Sequence, residues 1–117
     1  MSELEESLKD LQFEQFKTEF LKRQEQFDLN GYKVYFRKEP LVGCFADITV
    51  NQEGLVATVR YSNEVDQDDN PVYSAKHEAI HLLLARLLDL AERRYVSEAE
   101  LSEANEEAVR RLDKIIA

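Results

Sequence analysis

Residues 70–94 read NPVYSAKHEAIHLLLARLLDLAERR, and this stretch decides the fold. Asn70 followed by Pro71 is a helix start: the Asn side chain can accept from an orphan N–H of the first turn, and Pro at the first helical position loses nothing by lacking its own. The helix is expected to run to about Arg94. From Ile80 to Ala91 it is apolar on nearly every side, the pattern of a helix buried at the centre of a domain.

Inside it lies His77-Glu78-Ala79-Ile80-His81, the HExxH pattern. Imidazoles at i and i+4 stand about 40° apart on one face, so both can reach a single Zn²⁺ at about 2.0–2.1 Å. Glu78 points about 100° away from His77, which suits a base taking a proton from the attacking water better than it suits a ligand. The competing reading is two unrelated histidines one turn apart. They are the only two in the chain, and Leu84, Leu88 and Ala91 continue their face. Imidazoles set in a buried apolar stripe would each leave a ring nitrogen in need of a partner, and a metal satisfies both at once.

Downstream, Ser97 with Glu100 forms a capping box, and Leu101, Ala108, Val109, Leu112, Ile115 and Ile116 supply the stripe of a last helix. A metzincin site would need Gly and a third His where this chain has Leu84 and Leu87, so the third protein ligand is expected to be a carboxylate or Cys44. Glu98, Glu103, Glu106 and Glu107 all lie on the last helix; Glu98 falls closest to its apolar stripe and Glu106 at the edge, and periodicity does not choose between them. A His-His-Glu set leaves a fourth position open for water.

Upstream, residues 3–29 lack Gly and Pro and are rich in Glu, Lys, Gln and Leu, which predicts a helix or a helix pair. Leu4, Leu8 and Leu11 share one face, whereas Phe13, Phe16, Phe20 and Phe27 fall roughly opposite. A kink near Leu11–Phe13 would reconcile them; otherwise the first turns pack on a partner chain, making a homo-oligomer through this helix. Gly31–Glu39 alternates with strand period, and Cys44–Val50 and Leu55–Tyr61 flank Asn51-Gln52-Glu53-Gly54, whose Gly is expected to take the positive φ of a hairpin loop. Ser62–Asn70 is polar and reads as a loop.

The whole chain of 117 residues is expected to be one domain, 1–117, with 44% hydrophobic residues to fill one modest core. Its net charge of −9 argues against nucleic-acid and anionic-membrane partners, which need clustered Lys and Arg. One cysteine, an opening MSELEESLKDL without an apolar leader, and no apolar run long enough for a membrane helix point to a cytoplasmic protein. The fold class read from these elements is α+β: an N-terminal helix, a small sheet with a hairpin, the HExxH helix and a C-terminal glutamate helix.

The segments AKHEAIHLLL (residues 75–84), SEAEL (97–101) and EEAVRRL (106–112) resemble the small zincin-like metallopeptidases of phages and bacteria, the compact gluzincins. The resemblance covers residues 71–116 and extends more loosely to Ala46–Val50, which is similar to the family's strand preceding the motif. It implies a zincin-like fold whose edge strand lines the cleft, one Zn²⁺ held by His77, His81 and Glu106, Glu78 as base, and a peptide or protein as substrate. Two rival readings stand beside it. Val42-Gly43-Cys44-Phe45-Ala46 precedes the HExxH helix as Glu-Gly-Cys-Leu-Ser does in peptide deformylases, which would make Cys44 a ligand instead of a buried structural thiol. The acidic surface and doubly apolar first helix suit a non-catalytic module that binds a protein partner. For the oxyanion the candidates are Tyr61, Tyr73, Tyr95 or an Arg.

Overall fold

The computed structural model describes residues 3–64, 70–93, 95–113 and 115. The acidic stretch 65–69 of the expected loop, Arg94 at the expected helix end and Ile116 of the last stripe lie outside them. The chain is α+β, in the order α1 (Glu3–Gln26), β1 (Lys33–Glu39), β2 (Ala46–Asn51), β3 (Val56–Ser62), α2 (Pro71–Glu92) and α3 (Glu98–Asp113). None of the described helices is long and apolar enough to cross a membrane.

Helix α1 is a single helix, without the expected break near Leu11–Phe13. Phe16 and Phe20 are fully buried, while Leu4, Leu8 and Leu11 are 79%, 38% and 55% exposed, so one apolar face enters the core and the other meets solvent. No bend is needed because only one face is packed. The helix ends in a Schellman turn: Asp28 takes the left-handed conformation (φ 60°), its N–H reaches the Glu25 carbonyl, and the Leu29 N–H reaches that of Gln24. The Gln24 amide then donates to the Leu29 and Tyr32 carbonyls, both at 3.0 Å, and ties this corner to β1.

The sheet has the order β1-β3-β2, with β1 parallel and β2 antiparallel to the central β3. Ala57, Val59 and Tyr61 alternate along β3 and are fully buried, meeting Phe16, Phe20, Ala75, Ala79 and Leu82 from α1 and α2. Tyr61 stacks on Phe16 with ring centroids 4.5 Å apart, and Phe36 of β1 meets Phe16 and Phe20 edge-on. Pairs of this kind add about 0.5–1.5 kcal/mol each beyond the area they bury. On the opposite face Arg60 bridges Asp47 across the β2–β3 register and Glu39 at 2.8 Å. The β2–β3 loop differs from expectation: Leu55, not Gly54, carries the positive φ (53°), and Gly54 donates its N–H to the Asn51 side chain. The Asn side chain closes the turn, which moves the left-handed residue one place along.

Candidate active site

Asn70 caps α2 as its sequence requires, accepting at 3.1 Å from the Tyr73 N–H, with Pro71 in the first turn. The helix buries Ala75, Glu78, Ala79, Leu82, Leu83 and Leu90, but it is not covered all round. His77, His81, Ile80, Leu84 and Leu88 are exposed, which corrects the expectation of a wholly buried helix and of histidines sunk in a buried stripe. A three-stranded sheet and two neighbouring helices are too few to enclose it.

The uncovered histidines open onto a cleft of about 470 Å³ between α2 and β2. Sheet order explains its second wall: β2 is an edge strand, paired with β3 on one side only. One helical turn brings the two Nε2 atoms to 3.3 Å, with the rings edge-on and their centroids 4.9 Å apart. Two nitrogens of a tetrahedral zinc ion, each about 2.0–2.1 Å from the metal, are separated by about 3.3 Å. The histidine pair thus fits two corners of such an ion. Tyr73, one turn earlier, stacks beside His77 at 6.3 Å.

Glu78 lies a quarter turn from the pair, only 6% exposed, yet it lines the same cleft. Among the described residues no hydrogen-bond partner holds its carboxylate. Burial pushes the carboxyl above the ordinary range; the nearby His77 and His81 pull it down in part and Asp47 pushes it up again.

The other candidates separate. Cys44 is exposed and lines the cleft, not buried as a structural thiol would be. Glu106 and Glu98 are exposed on α3 and are not among the cleft residues. Glu103 and Glu107 are turned to α2, where Arg86 donates to Glu103 at 3.1 Å and also to Glu107. Burial alone would raise the Glu107 carboxyl, but Arg111 and Arg86 outweigh it and hold it below the usual range. Among the described residues no third His, Cys, Asp or Glu completes a metal-holding group with the two histidines. Of the tyrosines, Tyr61 belongs to the core, Tyr95 is 85% exposed outside the cleft, and Tyr73 alone stands beside the pair. Sequence reasoning passed over Asp47, Gln52, Asp89 and Glu92, all of which line the cleft. Glu92 lies about four turns along the helix from His77 and about 60° round from it, a signal visible in the periodicity, whereas Asp89, about 120° round, falls on the side of Glu78. Comparison with protein-family models, curated proteins and solved structures finds no match for this chain.

Proposed function

We propose that the chain is a zinc-dependent peptidase, or amide hydrolase, with a zincin-like fold in which His77 and His81 hold the metal and Glu78 is the base. The 3.3 Å separation of the two Nε2 atoms, beside a buried carboxylate without a hydrogen-bond partner among the described residues, carries this reading. Zinc, when bound, supplies a Lewis acid that polarises the scissile carbonyl and brings the pKa of a bound water towards neutrality. Glu78 accepts the proton of the attacking water and returns it to the leaving amine, a role favoured by a carboxyl raised through burial. The free edge of β2 offers backbone N–H and C=O groups to an extended peptide, aligning it along the cleft. Glu106 is the third ligand by resemblance, and recruiting it requires α3 to turn against the ion pairs of Arg86.

The test is a peptide-library digest with zinc-loaded wild type and Glu78→Gln matched for metal content. Glu78→Gln is expected to keep zinc and lose turnover by roughly 10²- to 10⁴-fold. Equal cleavage by both, or none by zinc-loaded wild type, rejects the peptidase. The second outcome favours the binding module, which the exposed Leu4, Leu8 and Leu11 face would serve.

A further inference from the structure

The sheet has a second free edge, on the side away from the cleft. Strand β1 pairs with β3 alone, and among the described residues no strand lies on its other side. The Lys33 N–H reaches the Leu55 carbonyl at 2.8 Å and the Glu39 carbonyl accepts from the Asn63 N–H at 3.3 Å, so Lys33, Tyr35, Arg37 and Glu39 turn their peptide groups towards β3. Val34, Phe36 and Lys38 therefore turn theirs outward. No Pro interrupts the strand, and Val34 and Phe36 pack against the core yet are only half-buried. On the sheet face away from α1 and α2 the β1 side chains run Lys33, Tyr35, Arg37, Glu39, cationic at the start and anionic at the end. Lys33 lies 5.5 Å over the Tyr35 ring and has no ion pair among the described residues. Glu39 is held by Arg60 at 2.8 Å and, on its other oxygen, by Arg37 of its own strand at 3.3 Å.

We propose that β1 pairs antiparallel with β1 of a second copy of this chain, about a two-fold axis at Phe36, so that two three-stranded sheets become one. Charge complementarity identifies the occupant. With Phe36 opposite Phe36, the outward residues Val34, Phe36 and Lys38 meet Lys38, Phe36 and Val34 of the copy and exchange about six backbone hydrogen bonds. The same register sets Lys33 opposite Glu39 and Tyr35 opposite Arg37, each twice by symmetry, giving ion pairs and cation–π pairs on the open face. Moving the axis to Tyr35 sets Lys33 against Arg37, and moving it to Arg37 sets two guanidinium groups face to face; both also pair fewer residues. A slip of one residue between the strands brings peptide groups already bonded to β3 to the new partner and turns side chains to the wrong face. Charged residues ordinarily guard a free edge by repelling its like. Here the order of signs instead favours the one register that pairs the whole strand. Association at β1 leaves β2 and the histidine cleft at the two outer ends of the joined sheet, open to solvent. An edge of seven residues buries less than a standard interface, so the dimer is weak and concentration-dependent. It stands apart from the peptidase reading.

The experiment follows the ¹⁵N-labelled full chain from about 20 μM to about 1 mM by sedimentation velocity and amide hydrogen exchange, in chelator so that no metal bridges the exposed histidines of two copies. A monomer–dimer equilibrium with a midpoint below about 1 mM is expected. Across that range exchange at Val34, Phe36 and Lys38 should slow at least about threefold, while Tyr35 and Arg37, bonded to β3 in both states, change little. Lys33→Glu sets two carboxylates opposite one another at both ends and should weaken the dimer at least about tenfold; Glu39→Lys should do the same. An equal mixture of these two variants should regain the wild-type association, because the mixed dimer again carries opposite charges at both ends. Far-UV circular dichroism checks that each variant is folded; if Glu39→Lys is not, Lys33→Glu and the exchange pattern decide. A monomer at 1 mM, a dimer indifferent to Lys33→Glu, or protection at the β2 edge or along the Leu4, Leu8 and Leu11 face instead of β1 overturns the proposal.

Discussion

Zinc should stabilise this protein, and the size of the effect follows from the geometry of the histidine pair. Because His77 and His81 are exposed and their Nε2 atoms already stand 3.3 Å apart, binding requires little rearrangement of either ring. Binding to the folded state alone contributes RT ln(1 + [L]/Kd), about 2.7 kcal/mol at a hundredfold excess over Kd. An unfolding entropy of about 2.1 cal/mol/K per residue over 117 residues is about 0.25 kcal/mol/K, so the thermal midpoint should rise by about 11 °C. The assay is differential scanning calorimetry of wild type and variant at one free zinc concentration, a hundredfold above the wild-type Kd, with Kd measured by competition against a chromophoric chelator. The His77→Ala, His81→Ala double variant is the control. Both side chains are exposed, so its metal-free midpoint should stay close to wild type, within the roughly ±0.5 kcal/mol usual for surface changes. A shift of the same size in that variant, or none in wild type with zinc bound, would refute the reasoning.

Three further outcomes are expected. Glu106→Gln should weaken zinc binding by about tenfold or more, measured by chelator competition; a loss confined to Cys44→Ser would instead assign the third ligand to the cysteine. Phe16→Ala removes a fully buried ring stacked on Tyr61 and facing Phe36, and should cost about 3–5 kcal/mol in urea unfolding; a cost under about 1 kcal/mol would mean that this cluster is not the core. Asn70→Ala deletes the bond to the Tyr73 N–H and should cost about 1 kcal/mol in the same assay, with Asn70→Asp close to wild type.

What could be read from the sequence was what short-range chemistry determines. Asn70 and Pro71 start α2, and Ser97 and Glu100 close the box that starts α3, with the Glu100 N–H donating to Ser97 Oγ at 3.0 Å. The three strands and the hairpin lie within a few residues of their expected bounds, because alternation and the Asn51–Gly54 turn are local signals. The shared face of His77 and His81 is equally local, being a property of one helical turn. What could not be read depends on which elements meet. The placement of β1 beside β3 leaves β2 at the edge, and only that ordering makes β2 a wall of the cleft and puts Cys44 at its rim. The uninterrupted course of α1 follows from having a packing partner on one face only, which the two apolar stripes cannot reveal by themselves.

The small size of the sheet accounts for the site. A chain of 117 residues buries a smaller share of its surface than a larger domain does, and here that share goes to the α1–α2–β3 contact around Phe16, Tyr61 and Leu82. Helix α2 is consequently two-sided: Ala75, Ala79, Leu82 and Leu83 serve the core, while His77, His81, Leu84 and Leu88 face outward. Glu78 sits on the boundary, desolvated by the core side and open to the cleft, and this position is what raises its carboxyl. Helix α3 does not cover the outward face because Arg86 holds Glu103 and Glu107 on another side of α2. The same ion pairs therefore oppose both closure of the cleft and recruitment of Glu106. Arg86→Ala should loosen α3, and if Glu106 is the third ligand it should strengthen zinc binding while lowering metal-free stability. A variant with weaker zinc binding would mean that α3 as docked here is the metal-competent arrangement.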